Sequence, residues 1–217
     1  GQDFRPSYLR IRAFVDSLPK RPVVGAFTAT ATELVRDDIL QSLELQNPRI
    51  LVTGFDRTNL YFGVEHPRDK DAWVFRYLKA HGEDCGIIYC STRKNVDELY
   101  DRLRLEGISA ARYHAGLSQE ERQQAQEDFQ YDRVQVIVAT NAFGMGIDKS
   151  NVRYVLHYNM PSCLENYYQE AGRAGRDGEP SECILLFSPQ DVVIQKFLLE
   201  HKEQSAALEE VEEANLR

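Results

Sequence analysis

Short runs of consecutive apolar residues alternate along this chain with longer stretches in which apolar positions recur every three or four residues. An unbroken apolar run fits a strand buried on both faces, and the three-and-four spacing fits a helix with one buried stripe. The runs predict strands at Val23–Phe27, Ile50–Thr53, Leu60–Glu65, Gly86–Cys90, Ala110–Tyr113, Val134–Ala139, Tyr154–Tyr158 and Cys183–Phe187. The stretch from Arg93 to Leu105 predicts a helix with Val96, Leu99, Tyr100 and Leu103 on one face, closed by Gly107. Thr30-x-x-Glu33, Ser118-x-x-Glu121 and Ser162-x-x-Glu165 fit the capping box, in which hydroxyl and carboxylate satisfy free backbone amides. Ser188 before Pro189 fits an N-cap followed by proline in the first turn. Strands and helices in alternation imply the α/β class, a parallel sheet covered by helices.

Two seams interrupt the alternation. Gly54 to Asn59 breaks it and predicts a domain junction, and beyond Leu199 the chain turns polar and glutamate-rich, as for a helix whose packing partner lies past Arg217. The segment before the junction holds two predicted strands and two helices, too little for a core of its own. No stretch approaches the ~20 apolar residues of a membrane helix, and the first residues lack a signal-peptide layout. Cys85, Cys90, Cys163 and Cys183 include no C-x-x-C pair, so zinc and disulfides are not expected and reduced thiols in a cytoplasmic setting are.

The 217 residues carry a net charge of −8, which by itself disfavours a nucleic-acid partner. Its distribution changes that picture. From Asp191 to Arg217 there are seven acids against three bases, a balance of −4, so half of the excess sits at the end and a basic track elsewhere stays open.

The run Gln169-Glu-Ala-Gly172-Arg173-Ala-Gly175-Arg176 carries the strongest chemistry. Two arginines three apart on a continuing helix project to one side and form a fork for a multiply charged anion. The bland alternative is a helix end with ordinary salt bridges. Val136 to Lys149 reads as a buried strand entering a glycine-containing loop, where Thr140 suits a phosphate and Asp148 a ribose hydroxyl; equally, it is a strand and a packed turn. Ser91, Thr92 and Arg93 at a helix start make either an anion site or a simple cap. His114 follows a strand end and is unremarkable alone. Ala26 to Thr32 closes a strand with threonines beside the seam.

Together and in this order, these runs resemble the two-lobed RecA-like helicases of superfamily 2, most closely the RecQ family of DNA helicases. Gly1 to Tyr8, with Phe4 and Arg5, is similar to the family's aromatic-rich loop; Ala26–Thr32, Ile88–Arg93, Val136–Lys149 and Tyr168–Gly178 are similar to its motifs III, IV, V and VI. Arg57-Thr-Asn59-Leu60 matches a signature at the start of the second lobe. The resemblance implies that residues 1–55 close a first RecA-like lobe, 56–190 form the second, and 191–217 begin a helical subdomain. It implies Arg176 as an arginine finger with Arg173 beside it, Gln169 as a coupling residue, and Gly146 and Asp148 facing the nucleotide. Ser91, Thr92, Arg93, His114, Thr140, Asn59, Phe4 and Arg5 would line the path of single-stranded DNA. The implied cofactor is ATP with Mg2+, held largely by a first-lobe portion outside this sequence, and zinc would fall beyond residue 217. The chain has no G-x-x-x-x-G-K-[ST] loop and no catalytic acidic pair, so it is expected to be inactive by itself. A monomer acting 3′ to 5′ in recombination and repair, in a bacterial nucleoid or a nucleus, completes what the resemblance implies. A related RNA helicase and a non-enzymatic nucleic-acid-binding module are the competing readings.

Overall fold

A computed structural model describes residues 10–28, 33–52, 57–144, 147–193 and 196. The chain divides into two compact units, Gly1–Asp56 and Arg57–Arg217. In the first, α1 (Ile11–Asp16) and α2 (Glu33–Ser42) are joined through Arg21, whose guanidinium pairs with Asp16 at 2.7 Å and donates to the carbonyls of Leu43 and Glu44 at 2.8 and 3.1 Å. The strands predicted at Val23–Phe27 and Ile50–Thr53 are not formed: residues 21–28 and 48–52 lie outside any ladder, with Val23, Phe27, Leu51 and Val52 exposed. A strand owes its stability to cross-strand pairs, and among the described residues neither run has a strand beside it. Thr30 and Thr53 lie outside the described residues.

The second unit holds a six-stranded, wholly parallel sheet in the order β1-β6-β5-β2-β4-β3. Its strands are β1 (Leu60–Glu65), β2 (Gly86–Tyr89), β3 (Ala110–Tyr113), β4 (Val136–Ala139), β5 (Tyr154–His157) and β6 (Ser181–Leu186). β2, β4 and β5 are buried at every position, as expected for central strands covered on both faces. Against one face pack α3 (Lys70–Ala80), through Val74 and Leu78, and α4 (Arg93–Leu105), through Val96, Leu99 and Leu103. Against the other pack α5 (Gln119–Gln130), through Ala125 and Phe129, and α6 (Leu164–Ala171), through Ala171. A side chain such as Phe129, with no exposed surface, contributes about 1.5–3 kcal/mol by burial.

The capping residues explain most helix boundaries. Ser118 and Glu121 satisfy each other's backbone amides, the complete capping box. Ser188 accepts from the Gln190 amide at 3.3 Å at the start of a further helical stretch. Ser162 is a correction: Cys163 occupies the N-cap of α6 without a side-chain bond, and the Ser162 hydroxyl accepts instead from the Asn166 side-chain amide at 2.7 Å. The hydroxyl is one residue too early to reach the free amides.

Candidate functional site

The arginine run does not continue α6. The helix stops at Ala171, Gly172 is its C-cap, and residues 172–177 form successive turns with Gly175 at φ +54°. The continuing helix expected here therefore fails; both arginines still reach the loop after β4, but they are held differently. Arg173 Nη1 donates to the carbonyl oxygen of Gly144, and its Nε is buried with no partner among the described residues. Arg176 Nη1 donates to the Ile147 carbonyl at 2.8 Å and stands 3.8 Å from the Asp148 carboxylate. The Asp148 side chain is fully exposed and that of Arg176 is 35% exposed, so this ion pair is a weak tether. Arg173 is thus an internal brace, while Arg176 keeps donors of its five N–H fork available to an anion.

The loop that receives both arginines leaves β4 and passes along the α5–α6 face. Phe143 anchors it, buried against Tyr113 and Phe129 in edge-to-face contacts at 5.1 and 5.9 Å. Gly144, at φ +113°, leaves room for the Arg173 guanidinium where a side chain would stand. The Tyr89 hydroxyl donates to the Phe143 carbonyl at 3.2 Å. Burial pushes its phenol well above the ordinary range, and the nearby Arg173 charge pulls the other way. Beneath α6, His157 Nε2 lies 2.9 Å from the Glu170 carboxylate, both residues buried. Lys149 is almost fully buried and pairs with Asp132 at 2.6 Å, which fixes the far end of the loop.

Arg57 and Asn59 hold the turn from the opposite side. Arg57 Nη2 donates to the carbonyls of Ala174 and Gly175 at 3.1 and 2.6 Å, and Asn59 Nδ2 donates to those of Gly175 and Glu179 at 2.8 and 2.9 Å. The Asn59 side-chain amide, expected on the path of a strand, is spent on this turn. Arg153 completes the frame by gripping both oxygens of Asp177 at 2.7 and 2.6 Å. These hydrogen bonds hold the Asp177 carboxyl below its ordinary value.

A second group gathers at the carboxyl edge of β2, β4 and β3, which lie side by side. Ser91, Thr92, Arg93, Thr140 and His114 all follow those strand ends. Thr92 is the N-cap of α4, its hydroxyl accepting from the Asn95 amide at 3.1 Å, while Ser91 and Arg93 are exposed. Ser91 is set in place by Asn159, whose side-chain oxygen accepts from the Ser91 amide and from Asn95, both at 3.1 Å. Asn159 in turn donates to the buried Asp191 at 3.0 Å, and Asp191 pairs with Lys70 at 2.7 Å. Thr140 is nearly buried, and its amide donates to the Tyr113 carbonyl. His114 is buried with both ring nitrogens used: Nδ1 accepts from the Gly116 amide and Nε2 donates to Asp97, each at 3.1 Å. Asp97 also accepts from Arg112 at 2.7 Å.

Gln169 is an exposed residue of α6. Phe4, Arg5 and Gly146 lie outside the described residues. Among the described residues no group of three or more His, Cys, Asp or Glu side chains converges as a metal site, and no helix is long and apolar enough to cross a membrane. Sequence reasoning named Arg57 as part of a signature but gave it no partner, and it missed Asn159 and the His157–Glu170 pair, whose contacts follow no local repeat.

Known proteins carry the same pattern. The profile of the helicase conserved C-terminal domain matches residues 69–178. The ATP-dependent DNA helicase RecQ of Bacillus subtilis is 51% identical over 94% of this chain and 34% of its own length, and that of Haemophilus influenzae is 45% identical over 94% and 33%. The ATP-dependent helicase wrn-1 of Caenorhabditis elegans is 44% identical over 94% of this chain and 20% of its own length. The chain therefore spans about a third of the bacterial relatives. Saccharomyces cerevisiae Dbp5, in a structure bound to RNA and ADP BeF3, shares the fold with a TM-score of 0.70 at 24% identity, covering 93% of this chain and 53% of that one. The parallel sheet and its flanking helices are thus a RecA-like lobe, and the chain belongs to the helicases with the conserved C-terminal domain and, within them, to the RecQ family.

Proposed function

We propose that this chain is the arginine-bearing part of an ATP-dependent DNA helicase, with residues 1–55 closing a first RecA-like lobe, 56–190 forming the second, and 191–217 opening a helical subdomain. The observation that carries this reading is the contrast between the two arginines. Arg173 is locked into the Gly144 loop, whereas Arg176 is exposed on a turn braced from several sides. A braced, exposed guanidinium suits a finger that stabilises charge on the transferring phosphoryl group of ATP, an effect worth roughly 10³–10⁵ in rate where it has been dissected. Gln169 helps couple the lobes, and Asp148 with Gly146 faces the nucleotide.

The single strand runs over the carboxyl edge of β2, β4 and β3, reached by Ser91, Thr92, Arg93 and Thr140; Phe4 and Arg5, outside the described residues, are DNA contacts by resemblance alone. His114 and Asn59 serve this surface indirectly, because their polar atoms are engaged within the lobe. The relatives' names carry the DNA assignment, and unwinding from 3′ to 5′ in recombination and repair extends it. The test is ATP hydrolysis by the full-length protein with single-stranded DNA, single-stranded RNA or neither. Stimulation by DNA above RNA supports the proposal; stronger stimulation by RNA transfers the protein to the RNA-directed helicases, and no hydrolysis under any of the three conditions makes the chain part of a non-enzymatic binding module.

A further inference from the structure

Arg57 and Asn59 grip the turn that presents Arg176 through four hydrogen bonds to three carbonyls, those of Ala174, Gly175 and Glu179. The two gripping side chains are themselves joined, Arg57 Nε donating to Asn59 Oδ1 at 3.2 Å. Asn59 is fixed further by its own carbonyl, which accepts from the Ser181 amide at 2.9 Å just beyond the turn. Gly175, at φ +54°, is the residue around which they close: a Cβ there would come within 2.5 Å of Asn59 Nδ2 and 2.7 Å of Ser181 Oγ. One side of the turn therefore touches the first residues of the second unit, while the other carries Arg176 onto Ile147.

We infer that Arg57 and Asn59 are positioning residues for Arg176, setting its place by fixing the Gly175 turn from the point where the chain enters the lobe. This inference rests on the finger reading of Arg176. Without the fork, the carbonyls of Ala174 and Gly175 can turn to water and the Arg176 Cα, two bonds beyond the Gly175 carbonyl carbon, loses its fixed place. A misplacement of about 1 Å at a reacting centre can cost on the order of 10²-fold in rate. Lysine cannot substitute, because it has no planar fork to bridge two carbonyls and Asn59 together.

The experiment is a double-mutant cycle in the full-length protein, reading DNA-stimulated ATP turnover, the KM for ATP and equilibrium ATP binding for Arg57→Ala, Arg57→Lys, Asn59→Ala, Arg176→Ala and the Arg57→Ala/Arg176→Ala pair. The expected result is a fall in kcat of roughly 10- to 100-fold for Arg57→Ala, with ATP binding retained and Arg57→Lys only partly restored. Turnover of the pair should be no lower than that of Arg176→Ala alone, since a residue that acts through another has nothing further to lose. Multiplicative losses in the pair, or unchanged kcat in Arg57→Ala, overturn the inference. Should Arg57→Ala fail to fold, Asn59→Ala and Arg57→Lys carry the same comparison. Unchanged turnover in Arg176→Ala is a separate outcome that removes the finger reading beneath the inference.

Discussion

Replacing Gly144 by alanine tests the brace on which the candidate site depends. The residue sits at φ +113°, where a side chain strains the backbone by about 1–3 kcal/mol. An added Cβ would also stand 2.6 Å from Arg173 Nη1 and nearer still to Cζ and Nε, so the guanidinium must leave. Its hydrogen bond to the Gly144 carbonyl is then lost, and a hydrogen bond involving a charged group contributes about 1.5–3 kcal/mol. The two effects together predict a loss of about 2.5–6 kcal/mol. Trp73, the single tryptophan of the chain, lies on α3 within the second unit and reports its unfolding by fluorescence during a urea titration. In an Arg173→Ala background nothing remains to displace, so the same substitution should cost only the backbone share, about 1–3 kcal/mol. An equal cost in both backgrounds would refute the placement of the guanidinium over Gly144.

Other predictions follow from single contacts. Ser118→Ala removes the hydroxyl half of the capping box of α5 and should cost about 1 kcal/mol in the same titration, with Ser118→Asp restoring most of it. Asp177→Asn bears on pH. The Arg153 hydrogen bonds depress the Asp177 carboxyl, so the stabilisation is present above the ordinary aspartate value and is lost as pH falls through the lower folded value. Urea midpoints of parent and variant should therefore differ at pH 6 and converge as the pH drops below the ordinary value of 3.8. A constant difference down to the lowest pH would contradict the pairing.

Much of the second unit was legible in the sequence because its strands are buried on both faces. Gly86–Tyr89, Val136–Ala139 and Tyr154–His157 are apolar runs that can be satisfied only inside a covered parallel sheet. Val23–Phe27 has the same composition yet forms no strand, since an apolar run specifies a need for partners and not their presence. Ser118 and Ser162 show the limit of short motifs: both fit the same four-residue pattern, but the start of α6 lies one residue later and leaves Ser162 outside it. The arginine run carried its own correction, because Gly172 and Gly175 are the residues at which a helix ends. The clamp on that turn was out of reach, since Arg57 and Asn59 meet partners more than a hundred positions away, where no local periodicity points. His114 and Asn59 illustrate the same gap in function: the resemblance implied contact with a DNA strand, and the fold spends both on internal bonds.

The central claim, that Arg176 completes a nucleotide site formed with another lobe, is tested most directly by Arg176→Ala in the full-length protein. ATP turnover with saturating single-stranded DNA and the equilibrium affinity for ATP are measured on the same preparation. Turnover should fall by roughly 10³-fold or more while ATP affinity stays close to that of the parent. Parent-like turnover would contradict the account.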